Sequence, residues 1–194
     1  MARKKLLNKK VLMSVFIVAI MILSAFGFMM SYRTSQGEKE EYNGFDFIRA
    51  PRGLKTKINE QEVYFDYYPQ GLENLSMPDD IKAMLKDAKA LIVTYDPDSD
   101  FATYMAELQF NMEQELSGTG DVYVARGLTN ATGTALPEFT CNNATAAMPV
   151  LYLKKGEESQ IKSEDSCIIL TASTEPEMNM FYNKIRYVIY GIMK

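Results

Sequence analysis

The chain contains no histidine. That absence removes Ser-His-Asp and Cys-His catalysis and every histidine-based zinc site at once. The chemistry that remains rests on carboxylates and sulfur. Asp96, Asp98 and Asp100 follow a short apolar run, with Glu107 a few turns further on. Three carboxylates in one turn could bind Ca²⁺ or Mg²⁺, or do acid–base work as an enzyme. Their spacing echoes an EF-hand loop, but Phe101 stands where that loop requires glycine. The plainer reading is that Asp96-Pro97 makes a turn and Asp98 or Asp100 caps the helix behind it, favoured there by the helix's positive end.

Sulfur chemistry is confined to Cys141 and Cys167, too far apart for a Cys-x-x-Cys redox pair. They can form a disulfide, or leave a nucleophilic thiol or a metal pair, although no histidine is present to activate or share either role. No cofactor motif is present: Gly118 and Gly120 follow a helical pattern, whereas a phosphate-binding loop must precede one. Asn74, Asn130 and Asn143 each open an Asn-x-Ser/Thr sequon, against roughly one expected by chance, and two lie in one long loop.

The elements that must position these groups begin with residues 11–30, twenty consecutive uncharged positions. As a helix they span about 30 Å, the thickness of a bilayer's hydrocarbon core. Arg3, Lys4, Lys5, Lys9 and Lys10 precede them with no acid, so the positive-inside rule predicts a cytoplasmic tail over 1–10 and an exported remainder. The competing expectation is a signal peptide cut near Ala25 and Gly27, but the apolar run continues past that point. Residues 31–42 are polar and aperiodic and read as a tether. Residues 43–194 are long enough for one core.

Beyond residue 30 the chain holds 16 basic against 25 acidic residues, a formal charge of −9. Such a surface repels nucleic acid and anionic head groups. Export also favours the Cys141–Cys167 disulfide, since oxidising compartments preserve such bonds.

The pattern of residues 43–194 predicts α/β architecture. Leu54 to Ile58 and Val63 to Tyr68 read as an antiparallel hairpin turned near Asn59, Glu60 and Gln61. Tyr64, Tyr67 and Tyr68 are expected on the inner face of that sheet. Ile81, Met84, Leu85 and Ala88 mark one face of an amphipathic helix. Ala90 to Tyr95 is an apolar strand. Phe101, Met105, Leu108, Met112 and Leu116 line one side of the next helix, with Glu107, Asn111, Gln114 and Glu115 on its wet side. Asp121 to Arg126 completes a parallel βαβ unit, which puts the acidic turn at the carboxyl end of a central strand, where ligands commonly bind. A loop over 127–147 with a short strand at Glu138 to Cys141, two strands at Val150 and Cys167, and a closing helix over 175–193 finish a mixed sheet with helices on its faces.

Tyr42-Asn-Gly-Phe-Asp-Phe47, Gly53 and Phe65-Asp-Tyr-Tyr-Pro69 resemble the start of the exported domain in uncharacterised archaeal membrane-anchored proteins of unknown function. Cys141-Asn-Asn-Ala-Thr145, Pro149-Val150, Gly156, Ile161 and Cys167-Ile168-Ile169 are similar to their second half. The resemblance implies a source and a topology and no activity. The expectation is therefore a membrane-anchored, non-catalytic binding or assembly module, meeting a protein partner or a second copy. An enzyme using Asp96, Asp98 and Asp100, or Cys141 and Cys167, is the alternative.

Overall fold

The computed structural model describes residues 9–34, 39–119 and 122–194, the side chains of 9–10 and 28–34 excepted. The chain forms two units, 1–39 and 40–194. Helix α1 (Lys9–Thr34) holds the first, and every side chain from Val11 to Gly27 is exposed. Among the described residues no helix is long and apolar enough to cross a membrane. The side chains of Phe28, Met29 and Met30, the end of the expected span, lie outside those described. The expected tether is shorter than 31–42: α1 continues through Thr34, and Lys39–Tyr42 forms strand β1. Alternation too weak to register across four polar residues becomes a strand once a neighbour supplies the ladder.

The second unit has two sheets. In the first, β1, β2 (Phe45–Ala50), β3 (Gly53–Ile58) and β4 (Gln61–Phe65) lie side by side in chain order. Two of the turns place both central residues at positive φ, Asn43-Gly44 and Asn59-Glu60, the geometry whose twist suits tight hairpins. Gly53 is obligatory: at φ +118° a Cβ there would meet the Phe65 carbonyl oxygen at 2.5 Å. Phe47, Leu54, Ile58, Val63 and Phe65 face inward, whereas Tyr64 is half-buried off the inner face and Tyr67 and Tyr68, beyond the end of β4, are half-buried against the core. Strand alternation decides it, since Val63 and Phe65 take the inward positions on either side of Tyr64.

The second sheet has the order β6-β5-β7-β9-β8. Strands β5 (Ala90–Tyr95), β6 (Tyr123–Leu128), β7 (Val150–Lys155) and β9 (Cys167–Ala172) pair in parallel, and β8 (Gln160–Glu164) closes one edge antiparallel to β9. The parallel β5 and β6 are joined through helix α4 (Ala102–Thr119). Helices α2 (Pro69–Leu72) and α3 (Asp79–Asp87) lead into β5, and α5 (Glu175–Ile189) follows β9.

Three expectations need correction. The opening hairpin belongs to a separate sheet; the antiparallel member of the mixed sheet is β8, hidden inside a charged stretch where only Ile161 is buried. Charge of that kind is what an edge strand carries to discourage further pairing. The short strand at Glu138 to Cys141 reduces to a single bridge, Leu128 to Glu138, before a 3-10 turn at Cys141–Asn143. Helices, finally, cover one face only. Leu91, Val93, Leu151, Leu153, Ile168 and Leu170 join the helices in the main core, while Ile92, Val150 and Cys167 point the other way. Their cover is the loop between β6 and β7, through Phe139, Cys141, Ala144 and Met148.

That loop has little apolar surface with which to hold itself down. It is held by a disulfide, Cys141–Cys167, with Cα atoms 5.2 Å apart, and by the Thr94 hydroxyl donating to the Phe139 carbonyl at 2.8 Å. Replacing both cysteines with serine should cost about 3 kcal/mol in urea unfolding. Amide exchange should then accelerate over 129–149 ahead of β5, β7 and β9; uniform acceleration would show that the loop is not what the bridge holds.

Candidate functional site

The acidic turn sits where the sequence placed it, at the carboxyl end of β5, beside the carboxyl end of β7. Together they line a cavity of about 450 Å³ that includes Asp96, Asp98, Asp100, Tyr152 and Lys155. Inside it the acids have local work. Asp96 accepts the Asp98 amide at 3.0 Å and so shapes the turn. Asp100 pairs with Lys155 at 2.5 Å, which holds its carboxyl below the usual range, and the same ammonium lies 5.0 Å from the Phe101 ring centre. Burial, then the nearby Asp96, push the Tyr152 phenol up. Neither expected cap forms: among the described residues no amide donates to the Asp98 or Asp100 side chain, and the Ser99 hydroxyl between them accepts the Phe101 amide just ahead of α4 at 3.3 Å. Among the described residues no three or more His, Cys, Asp or Glu side chains are grouped to hold a metal ion. Asp96, Asp98 and Asp100 thus share a turn without forming a ligand set.

A second cleft, of about 430 Å³, lies between α4, α5 and the end of β4. Tyr104, Glu107, Leu108, Asn111 and Glu115 form its α4 wall, and Asn179, Tyr182 and Arg186 its α5 wall. Both sets recur at helical spacing, so each helix offers one continuous stripe. Arg52, Tyr64 and Asp66 complete it.

Arg186, 3% exposed, anchors the floor. Its Nη2 donates to the Tyr64 carbonyl at 2.7 Å and pairs with Glu115, and its guanidinium lies 4.4 Å from the Phe65 ring centre and 5.2 Å from that of Tyr182. A buried charge persists only when paired and hydrogen-bonded in this way. Burial pushes the Glu115 carboxyl up while Arg186 draws it back down. At the rim, Asn179 donates to Asp66 Oδ2 at 3.0 Å, and the Asp66 amide donates to Asn183 Oδ1 at 3.1 Å. The Tyr104 phenol is pushed up to about 12 by burial and then by Asp66, Glu175, Tyr67 and Glu107. Sequence reasoning assigned Glu107, Asn111 and Glu115 to a wet helix face and missed the cleft. The available signal was a second polar stripe with a tyrosine in it, on α5.

Cys141 and Cys167 offer no thiolate while joined, and Cys167 is fully buried. Asn74, Asn130 and Asn143 are all exposed. Asn130 Oδ1 accepts both the amide and the hydroxyl of Thr132, at 3.2 and 2.8 Å.

No protein-family model matches the chain, and no curated protein or solved structure matches it either. The resemblance to archaeal membrane-anchored proteins gains no support from these comparisons.

The two sites should respond differently to charge removal. Asp98→Asn with Asp100→Asn should leave the urea midpoint essentially unchanged, because an exposed ion pair contributes little, and Ca²⁺ should not raise the Tm. Arg186→Met, which strands Glu115 in a partly buried position, should cost about 3 kcal/mol in urea unfolding. A calcium-dependent rise in Tm abolished by the double Asn variant would establish a metal site at the turn.

Proposed function

We propose that this chain is a single-pass membrane protein whose 40–194 unit is held outside the cytoplasm as a non-catalytic binding domain, with its ligand seated in the cleft between α4 and α5. One observation carries the choice of site: polar groups from α4, α5, β4 and the β2–β3 turn converge on one concavity around a guanidinium held through Nη2 by Glu115 and the Tyr64 carbonyl, its buried Nε having no hydrogen-bond partner among the described residues. Ligand sites are concavities with a few fixed polar groups of this kind. Outside α1, the large apolar side chains most exposed are Phe110 and Tyr123, which favours a cleft over a broad apolar docking face.

The anchor rests on the uncharged run 11–30, the basic residues before it, and exposed apolar side chains along the described part of α1. Topology and the archaeal resemblance point the same way. The sequons at Asn74, Asn130 and Asn143 then lie on the glycosylation-competent side of the membrane. A protein partner or a second copy of the chain is the proposed source of the ligand group; nucleic acid is disfavoured by the acid excess. The second reading is an enzyme at the β5 and β7 carboxyl ends, favoured by the position of that cavity alone.

Protease added to intact cells should remove residues 40–194 and leave the N-terminal tail; protection of that unit would overturn the topology. For the cleft, full-length protein in nanodiscs should be stabilised by ligands whose effect disappears in Asn111→Phe, which fills the cleft, and persists in Tyr152→Phe. The reverse pattern would favour the enzyme reading.

A further inference from the structure

Resting on the reading of this cleft as a binding site, we propose that its ligand is an organic cation, an amine or guanidinium on a short body. The argument begins with which charges are already engaged. Arg186 is engaged through Nη2 by Glu115 and the Tyr64 carbonyl, which offset its charge at the floor. The groups left facing the opening are Asp66, Glu107 and Arg52, all exposed at the rim. Asp66 receives the amides of Asn179 and Asn183 on Oδ2, which leaves Oδ1 without a partner among the described residues. Glu107 has no hydrogen-bond or ion-pair partner among them. Acceptors and negative charge therefore predominate.

The interior agrees with the rim. Burial, and then the carboxylates of Asp66, Glu175 and Glu107 with the Tyr67 phenol, push the Tyr104 phenol up. Tyr64 and Tyr104 are half-buried there, and an aromatic face attracts a cation. On the floor Tyr182, 4% exposed, has a hydroxyl with no hydrogen-bond partner among the described residues, which can accept from a ligand N–H group as well as donate. An anion would find no available cation except Arg52, beside two carboxylates. The acid excess of the exported part steers the same class of ligand toward the surface.

The test uses the full chain in nanodiscs, titrated calorimetrically with agmatine and cadaverine, with succinate and glucose as the competing classes. The amines should bind, at least tenfold more weakly after Glu107→Gln or after Asp66→Asn, and unchanged after Glu158→Gln, with affinity falling as salt rises. Thermal unfolding of each variant separates lost binding from lost fold, and Glu107, which ties down no backbone, is the decisive position. A capped Gly-Arg-Gly peptide distinguishes sources: tighter binding than agmatine assigns the cation to a partner protein's side chain, weaker binding to a free small molecule. If succinate or glucose binds, is blocked by Asn111→Phe, and the amines do not bind, the cation assignment fails and the cleft remains a binding site. If nothing in the set binds, both are overturned.

Discussion

The unit 40–194 depends on the way α5 accommodates polar side chains at its centre. After β4 the chain leaves its ladder and runs through residues 66–75 before α3 begins, so its backbone groups need partners from elsewhere. Helix α5 provides them. Asn183 accepts the Asp66 amide, the Tyr187 hydroxyl donates to the Tyr67 carbonyl at 2.7 Å, and Lys184 donates to the carbonyls of Leu72, Glu73 and Leu75. Arg186 reaches back into β4, to the Tyr64 carbonyl. Asn183, Lys184 and Arg186 are 0%, 5% and 3% exposed, so none of these bonds is optional: a buried donor without its acceptor costs about 1–3 kcal/mol, more if charged. The helix is thereby fixed in rotation and in height, and apolar packing completes what the bonds specify. Phe65 stacks on Tyr187 with ring centres 4.0 Å apart, and Phe47 meets the same ring edge-on.

The cleft follows from that arrangement. Its floor residue, Arg186, is one of the bonds that hold the antiparallel sheet to the helix, and Asp66 at its rim is held by Asn179 and Asn183. A site built from structural members opens with little reorganisation, which lowers the ordering cost of binding. Stability and recognition are coupled here, because a substitution that loosens α5 must also disorder the cleft.

Local pattern explains most of what the sequence made legible. The Asn59-Glu60 hairpin, the β5-α4-β6 unit and the position of the acidic turn each depend on residues close together in the chain, and each was readable from alternation, helical spacing or turn chemistry. What was illegible depends on distant partners. Gln160–Glu164 becomes a strand only because β9 presents an edge to it, and its charges look like a loop until the pairing is known. Asn183, Lys184 and Arg186 look like interruptions of an apolar helix, since sequence shows a polar residue but not the backbone amide or carbonyl far earlier in the chain that it serves. Gln109 belongs with them: it is 2% exposed and donates to the carbonyls of Val93 and Gly127 across two strands. The cleft escaped for the same reason, because its two walls are amphipathic stripes that acquire meaning only when they face each other.

Covalent closure and location bear on each other as well. A parallel connection such as β6 to β7 ordinarily brings a helix onto the sheet's open face. Here a loop poor in apolar residues takes that place, over Ile92, Val150 and Cys167, and Phe139 fits only because Gly127 beneath it has no side chain: a Cβ there would come within 2.4 Å of the ring. A few apolar contacts, the side-chain hydrogen bonds of Thr94 and Thr129, and backbone bonds from Leu128 to Pro137 and Phe139 hold this cover, and the Cys141–Cys167 bond fastens it covalently. That bond persists only where thiols are oxidised. The completed fold therefore depends on oxidising surroundings, because the covalent fastening of the loop over Ile92, Val150 and Cys167 is lost when the two thiols are reduced.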